Sequence, residues 1–189
     1  TSENNLAFIT DKYGYSRQDS LIFNEKGSID FYVNLSKAAT TDQEYTLMYD
    51  TKALKNYNKV HGTNIKALPE KLVKVGGTAK VAAGAMKSSK VTVEYTSAEE
   101  LEKNGIYAIP VSVKGAAQAS KDKGEFVLIV RDITQMPNCH KEGGLQVISC
   151  IEVNDANPLH NLCYTLKESG KFVIDQVILF SGNINYNVE

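Results

Sequence analysis

Short stretches in which apolar and polar residues alternate make up most of the chain as far as about Ile133. In "SIDFYVNLS", Ile29, Phe31, Val33 and Leu35 alternate with mainly polar neighbours, which is typical of a strand with one buried face. The same alternation recurs in "LAFIT", "EYTLMYD", "KLVKV", "AKVAA", "SKVTVEY", "YAIPVSV" and "EFVLIV", with glycines between many of them. About seven short strands at this spacing predict an antiparallel β-sandwich.

One segment of this region has a helical pattern instead. Asp50, a favourable N-cap, precedes "TKALKNYNKVHGTN", in which Leu54, Tyr57 and Val60 fall on one face. Gly62 stands where a glycine commonly ends a helix. The pattern predicts one short helix crossing between the sheets.

Pro110 interrupts the otherwise regular strand "YAIPVSV". Proline has no backbone N–H and cannot donate to the hydrogen bonds of a sheet. We therefore expect Pro110 to mark an edge strand or a bulge.

The pattern changes at "TQMPNCHKEGG", where Pro137 and a pair of glycines are typical of a linker. Beyond it, "LQVISCIEV" and "FVIDQVILF" are nearly continuous apolar runs, as expected of strands covered on both faces in a parallel α/β sheet. The sequence thus predicts a sandwich over 1–133, a linker over 134–145 and a second segment over 146–189.

Composition narrows the classes of partner. The chain is 42% hydrophobic and 23% charged, with a formal net charge of -1, which gives no electrostatic reason to expect nucleic acid or an anionic membrane. No stretch approaches the roughly 20 apolar residues of a membrane span. The start, "TSENNLAFIT", lacks a signal-peptide pattern, so we expect either a cytosolic protein or one whose signal has been removed. Oligomeric state is not indicated.

Three cysteines in the last third of the chain leave several interpretations open. Cys139 and His140, with His160 and Cys163, offer four soft ligands, but their spacing fits no familiar zinc motif. A disulfide between Cys139 and Cys163 would suit an exported protein, with Cys150 as a buried strand thiol. The interpretation favoured here is buried thiols with incidental histidines, and we predict neither a metal nor a cofactor.

The stretch from Val147 to Asn187, "VISCIEVNDANPLHNLCYTLKESGKFVIDQVILFSGNINYN", resembles a known family. It is similar to the opening of the endo-β-N-acetylglucosaminidases of glycoside hydrolase family 18. The barrels of that family begin with a strand ending in E-V-N, a Y-T-L segment and a second strand ending in A-N-I-N-Y. The resemblance implies a partial α/β, TIM-barrel-like segment of two strands.

The same resemblance suggests where a glycan or glycoprotein would bind. Polar residues follow both strands, at the barrel end where such enzymes place their sites: Glu152, Asn154, Asn183, Asn185 and Tyr186. We predict that they form a rim that contacts substrate. The plainer interpretation is that they cap strand ends and hold loops.

The catalytic residues of that family are absent from the sequence. Its general acid lies in a D-x-x-D-x-D-x-E motif on the fourth barrel strand, and no such motif occurs in the 189 residues. We therefore predict no catalytic residue and a glycan-associated, non-catalytic accessory module, with a barrel that stops after two strands. The alternatives are a fragment of an active endoglycosidase that cleaves N-glycans, and a structural or adhesion sandwich.

The first part resembles a second family, the domain of unknown function family 1735, through "ALKNYNKVHGTNIKALP", "AAGAMKSSKVTVEY" and "NGIYAIPVSV". Such domains occur at the N-termini of surface lipoproteins that handle glycans. The resemblance implies a mainly β, immunoglobulin-like antiparallel sandwich. It also implies a secreted, periplasmic or outer-surface location, with a lipid anchor before processing.

Tyrosines offer another route to sugar binding, because the chain has 10 of them and no tryptophan. Tyr13, Tyr15, Tyr45, Tyr49 and Tyr57 can stack on sugar rings through their apolar faces. The competing interpretation is that these rings are half-buried in the sandwich with their hydroxyls in water.

Overall fold

The protein folds as two compact units, Thr1–Thr134 and Gln135–Glu189. The structure is a computed structural model that describes residues 4–16, 20–136, 141, 143, 146–153 and 158–181. Within the described part of the first unit, strands predominate and there is one α-helix, which confirms the predicted mainly β sandwich. Its strands are β1 Leu6–Thr10, β2 Ser20–Phe23, β3 Lys26–Leu35, β4 Gln43–Tyr49, β5 Lys66–Ala67, β6 Val73–Val75, β7 Ala79–Val81, β8 Val91–Thr96, β9 Ile106–Gly115, β10 Gln118–Ala119 and β11 Glu125–Asp132.

These strands form two sheets with mainly antiparallel pairing. One sheet has the order β10-β1-β3-β8-β6, and the other has the order β2-β11-β9-β4-β7, with β5 also paired to β9. The pairs β1–β10, β2–β11 and β5–β9 are parallel. Short strands such as β5 and β10, two residues each, carry no periodicity and were not predicted.

The core lies between the two sheets. In β3 the predicted alternation is confirmed, because Phe31, Val33 and Leu35 are fully buried. Phe31 of the first sheet meets Phe126 of the second, with ring centroids 4.7 Å apart and ring planes at 60°. This tilted aromatic contact joins the two layers.

The predicted helix, α1, spans Thr51–His61 and has the predicted ends. The expectation that it crosses between the sheets was wrong, because it connects β4 to β5 of the same sheet. A side-chain oxygen of Asp50 accepts a hydrogen bond from the backbone N–H of Lys52, 2.9 Å away. At the other end Gly62 adopts a left-handed φ of 64°, and its N–H donates to the carbonyl of Asn58. Both caps satisfy backbone groups that the helix itself leaves unpaired.

The buried face of α1 differs from the prediction at one position. Ala53 and Leu54 are buried and Tyr57 packs beside them, but Val60 is 79% exposed. Val60 lies in the last turn, where it lines a cleft instead of packing on a strand. The spacing of apolar residues predicts which face of a helix a side chain lies on. It does not predict whether the neighbouring sheet extends far enough to cover that side chain.

The prediction for Pro110 was wrong, because β9 is an interior strand with continuous register to β11 and to β4. Asp50 N–H donates to the Pro110 carbonyl (3.0 Å), and Leu68 N–H donates to the Ala108 carbonyl (2.8 Å). On this side of β9 the neighbour changes from β4 to β5. In an antiparallel strand, the nitrogen and the carbonyl of one residue point to the same side. The Pro110 nitrogen therefore also faces the junction between β4 and β5, which neither ladder includes, and its missing N–H breaks no strand pairing.

Two cross-strand pairs combine a glycine with a tyrosine whose ring covers it. Gly27 is opposite Tyr95, and Gly115 is opposite Tyr45. A Cβ atom would lie 2.5 Å from the ring of Tyr95 at the first position and 2.3 Å from that of Tyr45 at the second. A glycine leaves the space that each aromatic ring fills.

We expect the sandwich to lose stability in alkali through Tyr95. Burial raises the pKa of its hydroxyl from 10.0 to about 12. Because the folded state then holds the proton more tightly than the unfolded chain, this contribution is complete below pH 10 and is lost as pH rises toward about 12. Denaturation curves measured across this range should show a weaker decline for Tyr95→Phe, which keeps the ring.

Tyr49 should also contribute to the alkaline decline, because burial and the nearby Glu70 raise its pKa. The parent protein must therefore be compared with Tyr95→Phe. The difference between the parent and Tyr95→Phe isolates the Tyr95 hydroxyl. An identical decline in both proteins would contradict the prediction.

Among the residues of the second unit that the structure describes, two strands pair in parallel, as the apolar runs predicted. They are β12 Ile148–Val153 and β13 Gln176–Ser181, with a 3₁₀ helix over Pro158–Cys163 between them. The expectation that both faces are covered was wrong, because the consecutive residues Leu179 and Phe180 are 51% and 48% exposed. Successive residues of a strand point to opposite faces, so both faces of β13 are open.

The beginnings of these two strands are tied together by Asp175. Its Oδ2 accepts from the backbone N–H of Val147 (2.7 Å) and pairs with Nζ of Lys141 (2.9 Å). Its own N–H donates to the Val147 carbonyl (2.9 Å). The ion pair is largely shielded from water, so it is worth more than a fully exposed pair.

Candidate functional site

Of the five residues predicted to form a rim, the structure describes Glu152. Its side chain is exposed on β12, in register with Phe180 of β13, near the carboxyl end of the parallel pair. The other four, Asn154, Asn183, Asn185 and Tyr186, lie outside the described residues.

The cysteine predictions concern the same unit. Cys139 and His140 lie outside the described residues, while His160 and Cys163 belong to the 3₁₀ helix. Cys163 is a half-buried free thiol. Cys150 is exposed, not buried as predicted, because the faces of the β12–β13 sheet are uncovered. Among the described residues, no group of three or more His, Cys, Asp or Glu side chains is placed to hold a metal.

The tyrosines proposed as sugar platforms differ in their exposure to solvent. Tyr45 is fully buried, and its hydroxyl donates to Oε1 of Gln43 (2.6 Å) and accepts from the N–H of Ala117 (3.1 Å). Tyr49 is half-buried and donates to the carbonyl of Leu68 (2.7 Å). The Tyr45 ring therefore serves the fold and is not a platform, and the hydroxyl of Tyr49 is bonded to the backbone.

Tyr13 and Tyr15 are the opposite case, with 71% and 53% of their surface exposed. They lie on residues 11–16 after β1, called the tyrosine turn below. Asp11 organises this turn although it is only 3% exposed. Its Oδ1 accepts from the N–H groups of Tyr13 (2.8 Å) and Tyr15 (3.0 Å), and its own N–H donates to the Tyr15 carbonyl (2.9 Å).

A cleft of about 380 Å³ lies on one side of the tyrosine turn. Lys12 and Tyr13 contribute to it from the turn, and Ser28 and Asp30 contribute from β3. The Lys12 ammonium lies 4.9 Å from the centre of the Tyr13 ring, a cation–π arrangement. The walls therefore combine an aromatic ring with hydroxyl, ammonium and carboxylate groups.

A wider cleft of about 790 Å³ runs between α1 and the segment that leads into β11. Ser16, the last residue of the tyrosine turn, lines it. Along it, the rings of Tyr57 and His61 are in tilted contact, with centroids 4.1 Å apart and ring planes at 38°, and Asn56 Nδ2 donates to Oε1 of Glu125 (3.3 Å). Aromatic rings beside amide and carboxylate groups are suited to binding a ligand that has both apolar faces and hydroxyls.

A family model whose description reads "-like, N-terminal domain" matches residues 2–120, which is more than half of the chain. The chain belongs to this family of N-terminal domains. The matched residues cover most of the sandwich, including the tyrosine turn and α1.

Solved structures of similar proteins extend this finding. EndoBT-3987 of Bacteroides thetaiotamicron, solved with a Man5GlcNAc product, is 29% identical with a TM-score of 0.59, and the match covers 95% of this chain and 44% of that one. A two-domain protein of unknown function from Bacteroides fragilis is 15% identical with a TM-score of 0.51, covering 68% of this chain and 46% of that one. The second likeness concerns the fold alone.

A curated relative is endo-β-N-acetylglucosaminidase F1 of Elizabethkingia meningoseptica, 54% identical over 46 residues. That match covers 24% of this chain and 14% of the relative. The chain therefore spans less than half the length of EndoBT-3987 and a small part of the curated relative. Together the likenesses support an N-terminal domain associated with endoglycosidases, as the sequence resemblance implied.

Sequence reasoning named Tyr13 and Tyr15 but missed the residue that positions them. Asp11 in "TDKYGY" stands three residues before Gly14, and an aspartate at the start of such a stretch commonly begins a turn in which its carboxylate accepts backbone N–H groups. That signal was available. The wide cleft beside α1 depends on the approach of distant segments and left no local signal.

Proposed function

We propose that this chain is the N-terminal, accessory part of an endo-β-N-acetylglucosaminidase-like protein of glycoside hydrolase family 18 that acts on N-glycans. The observation that carries the proposal is the likeness to EndoBT-3987, which extends over 95% of the chain at 29% identity. The first unit would be a domain of family 1735, followed by a linker over 134–145. Residues 146–189 would be the start of a catalytic barrel.

The second unit supports the barrel part of this proposal through its exposed strands. Parallel strands are normally covered on both faces, and those of a barrel are paired on both edges. β12 and β13 are parallel, and Leu179 and Phe180 are exposed on opposite faces of β13. These are properties of strands that belong to a larger parallel sheet.

Glu152 is proposed as a contact to the glycan and not as a catalytic acid. A general acid needs neighbours that tune its pKa and fix its position, and the Glu152 side chain is exposed on a two-stranded sheet. At the carboxyl end of a barrel strand it would hydrogen-bond sugar hydroxyls. We propose that Asn154, Asn183, Asn185 and Tyr186 share this role.

The proposed location is the cell exterior, the periplasm or the outer cell surface, with a lipid anchor before processing. Glycoproteins carrying N-glycans are the proposed partners, since EndoBT-3987 was solved with an oligosaccharide product. Neither length nor hydrophobicity would let any helix in the described part of the chain span a lipid bilayer.

The purified chain is expected to leave a high-mannose glycoprotein intact, because it lacks the D-x-x-D-x-D-x-E motif. Mass spectrometry of the glycoprotein before and after incubation measures this, with endo-β-N-acetylglucosaminidase F1 as the positive control. Release of glycan by the chain would contradict the accessory role. The variant Glu152→Gln would then show whether that carboxyl is the acid.

The gene provides the second arm of this test. A D-x-x-D-x-D-x-E motif encoded after Glu189 would support the family 18 assignment and the alternative of an active endoglycosidase. A stop codon directly after Glu189 would argue against both and favour a structural or adhesion sandwich.

A further inference from the structure

We infer that the tyrosine turn is an oligosaccharide-binding element of the sandwich, separate from any site on the second unit. Tyr13 and Tyr15 would stack on the apolar faces of sugar rings, and polar groups in the adjoining clefts would bond the hydroxyls. The sugar as ligand class rests on the proposed function, while the site itself rests on the geometry of the turn.

The first argument is the exposure of these two rings. The core of the sandwich buries several large aromatic side chains, including Phe31, Phe126 and Tyr45. Tyr13 and Tyr15 are instead 71% and 53% exposed, two positions apart on one short turn. Exposed aromatic surface concentrated in this way is characteristic of recognition sites.

The second argument is that hydrogen bonds hold the backbone of the turn in place. The buried carboxylate of Asp11 accepts from the backbone N–H groups of both Tyr13 and Tyr15, and Ser16 Oγ donates to the carbonyl of Ile9 (2.9 Å). These bonds fix the backbone that carries the rings. A ligand that binds there loses less free energy in ordering the protein than it would on a mobile loop.

The third argument concerns the chemistry of the two clefts to which the turn contributes residues. Lys12, Ser28 and Asp30 line one cleft, while Asn56 and Glu125 line the other. Their volumes, about 380 and 790 Å³, match those of ligand sites for small molecules. A hydroxyl-rich oligosaccharide fits a cleft in which the Tyr13 ring stands beside ammonium, hydroxyl and carboxylate groups, and Ser16 of the same turn lines a second cleft with polar walls.

A protein partner fits this surface less well. A stable protein interface buries roughly 800 Å² on each partner around an apolar centre. Beside the turn, the apolar floor of the smaller cleft comes from Leu21 and Ile29, both half-buried, and charged or hydroxyl groups surround it. The surface favours small amphipathic rings over a broad apolar face.

Calorimetric titration of the full chain with the oligosaccharide Man5GlcNAc tests this inference. Tyr13→Ala and Tyr15→Ala should each weaken binding about tenfold, the loss expected for one stacked ring. Asp11→Ala should also weaken binding, although both rings remain, because it releases the turn that positions them. Circular dichroism of each variant checks that the fold is intact.

Two controls separate this site from the second unit. Tyr164→Ala removes a tyrosine that is similarly exposed but lies outside the sandwich, and it should leave the affinity for Man5GlcNAc unchanged. Glu152→Gln alters the proposed rim and shows how much of the measured binding belongs to the second unit. Binding that responds to Glu152→Gln and not to the tyrosine variants would overturn the inference while leaving the proposed function standing.

Two further results would also overturn it. One is no detectable binding of Man5GlcNAc to the parent chain. The other is tyrosine-dependent binding of the same glycoprotein after its glycans have been removed, which would indicate a protein ligand. Glycan release by the chain, or a stop codon after Glu189, bears on the proposed function alone.

Discussion

Phe31→Ala is expected to lower the free energy of unfolding of the sandwich by about 4 kcal/mol. Phe31 is fully buried and contacts Phe126 of the opposite sheet at 4.7 Å between ring centroids. The substitution removes the ring from the centre of the interface between the two sheets and leaves a cavity that the strands cannot close. Urea denaturation measures the loss, and an unchanged slope would show that the folded state is otherwise preserved.

Phe31→Leu is the matched control, since it keeps most of the buried volume and should cost about 1 kcal/mol. The double variant with Phe126→Ala tests the contact itself. If the two rings stabilise each other, the combined loss should be smaller than the sum of the single losses by about 1 kcal/mol. Additive losses would mean that contact between the two rings does not itself stabilise the sandwich.

Gly115→Ala should destabilise the sandwich by about 3 kcal/mol, although it adds one methyl group. That methyl carbon would lie 2.3 Å from Cδ1 of Tyr45 on the neighbouring strand. The ring cannot turn aside, because Tyr45 is fully buried and its hydroxyl is bonded to Gln43 and Ala117. Thermal or urea denaturation of the variant measures the effect.

The same substitution should change sign once the ring is gone. In a Tyr45→Ala background, Gly115→Ala is expected to stabilise by about 0.5 kcal/mol, because alanine restricts the unfolded chain more than glycine. As a control, Thr46→Ala changes an exposed residue of β4, the strand that carries Tyr45, and should alter stability by about 0.5 kcal/mol or less. A large loss that persists without the Tyr45 ring would show that the backbone, and not the ring, excludes the methyl group.

The sequence predicted the parts of the fold that are set by local periodicity. Strand β3 alternates from Ile29 to Leu35, and α1 carries recognisable caps at Asp50 and Gly62, so each was predictable without knowledge of its neighbours. The prediction for Pro110 failed because the rule that confines proline to edge strands or bulges assumes that a strand has one neighbour along its whole length on each side. In this sandwich β9 passes from β4 to β5 at that point.

The candidate site was predictable to a smaller extent. Composition and the resemblance directed attention to tyrosines, but exposure decides which of them can bind, and exposure depends on tertiary packing. Tyr13 and Tyr45 have the same chemistry, yet one is 71% exposed and the other is fully buried. Of the rim residues, Glu152 is described and exposed, and its role stays a prediction.

Asp50 links the helix to the sheet in a way that bears on how the sandwich opens. Its side chain caps α1 through Lys52, while its backbone N–H donates to the Pro110 carbonyl in β9. Fraying of the first helical turn would therefore also break a bond to an interior strand. Helix and sheet should unfold as one cooperative unit, with amide protons at this junction exchanging with solvent as slowly as those of the central strands.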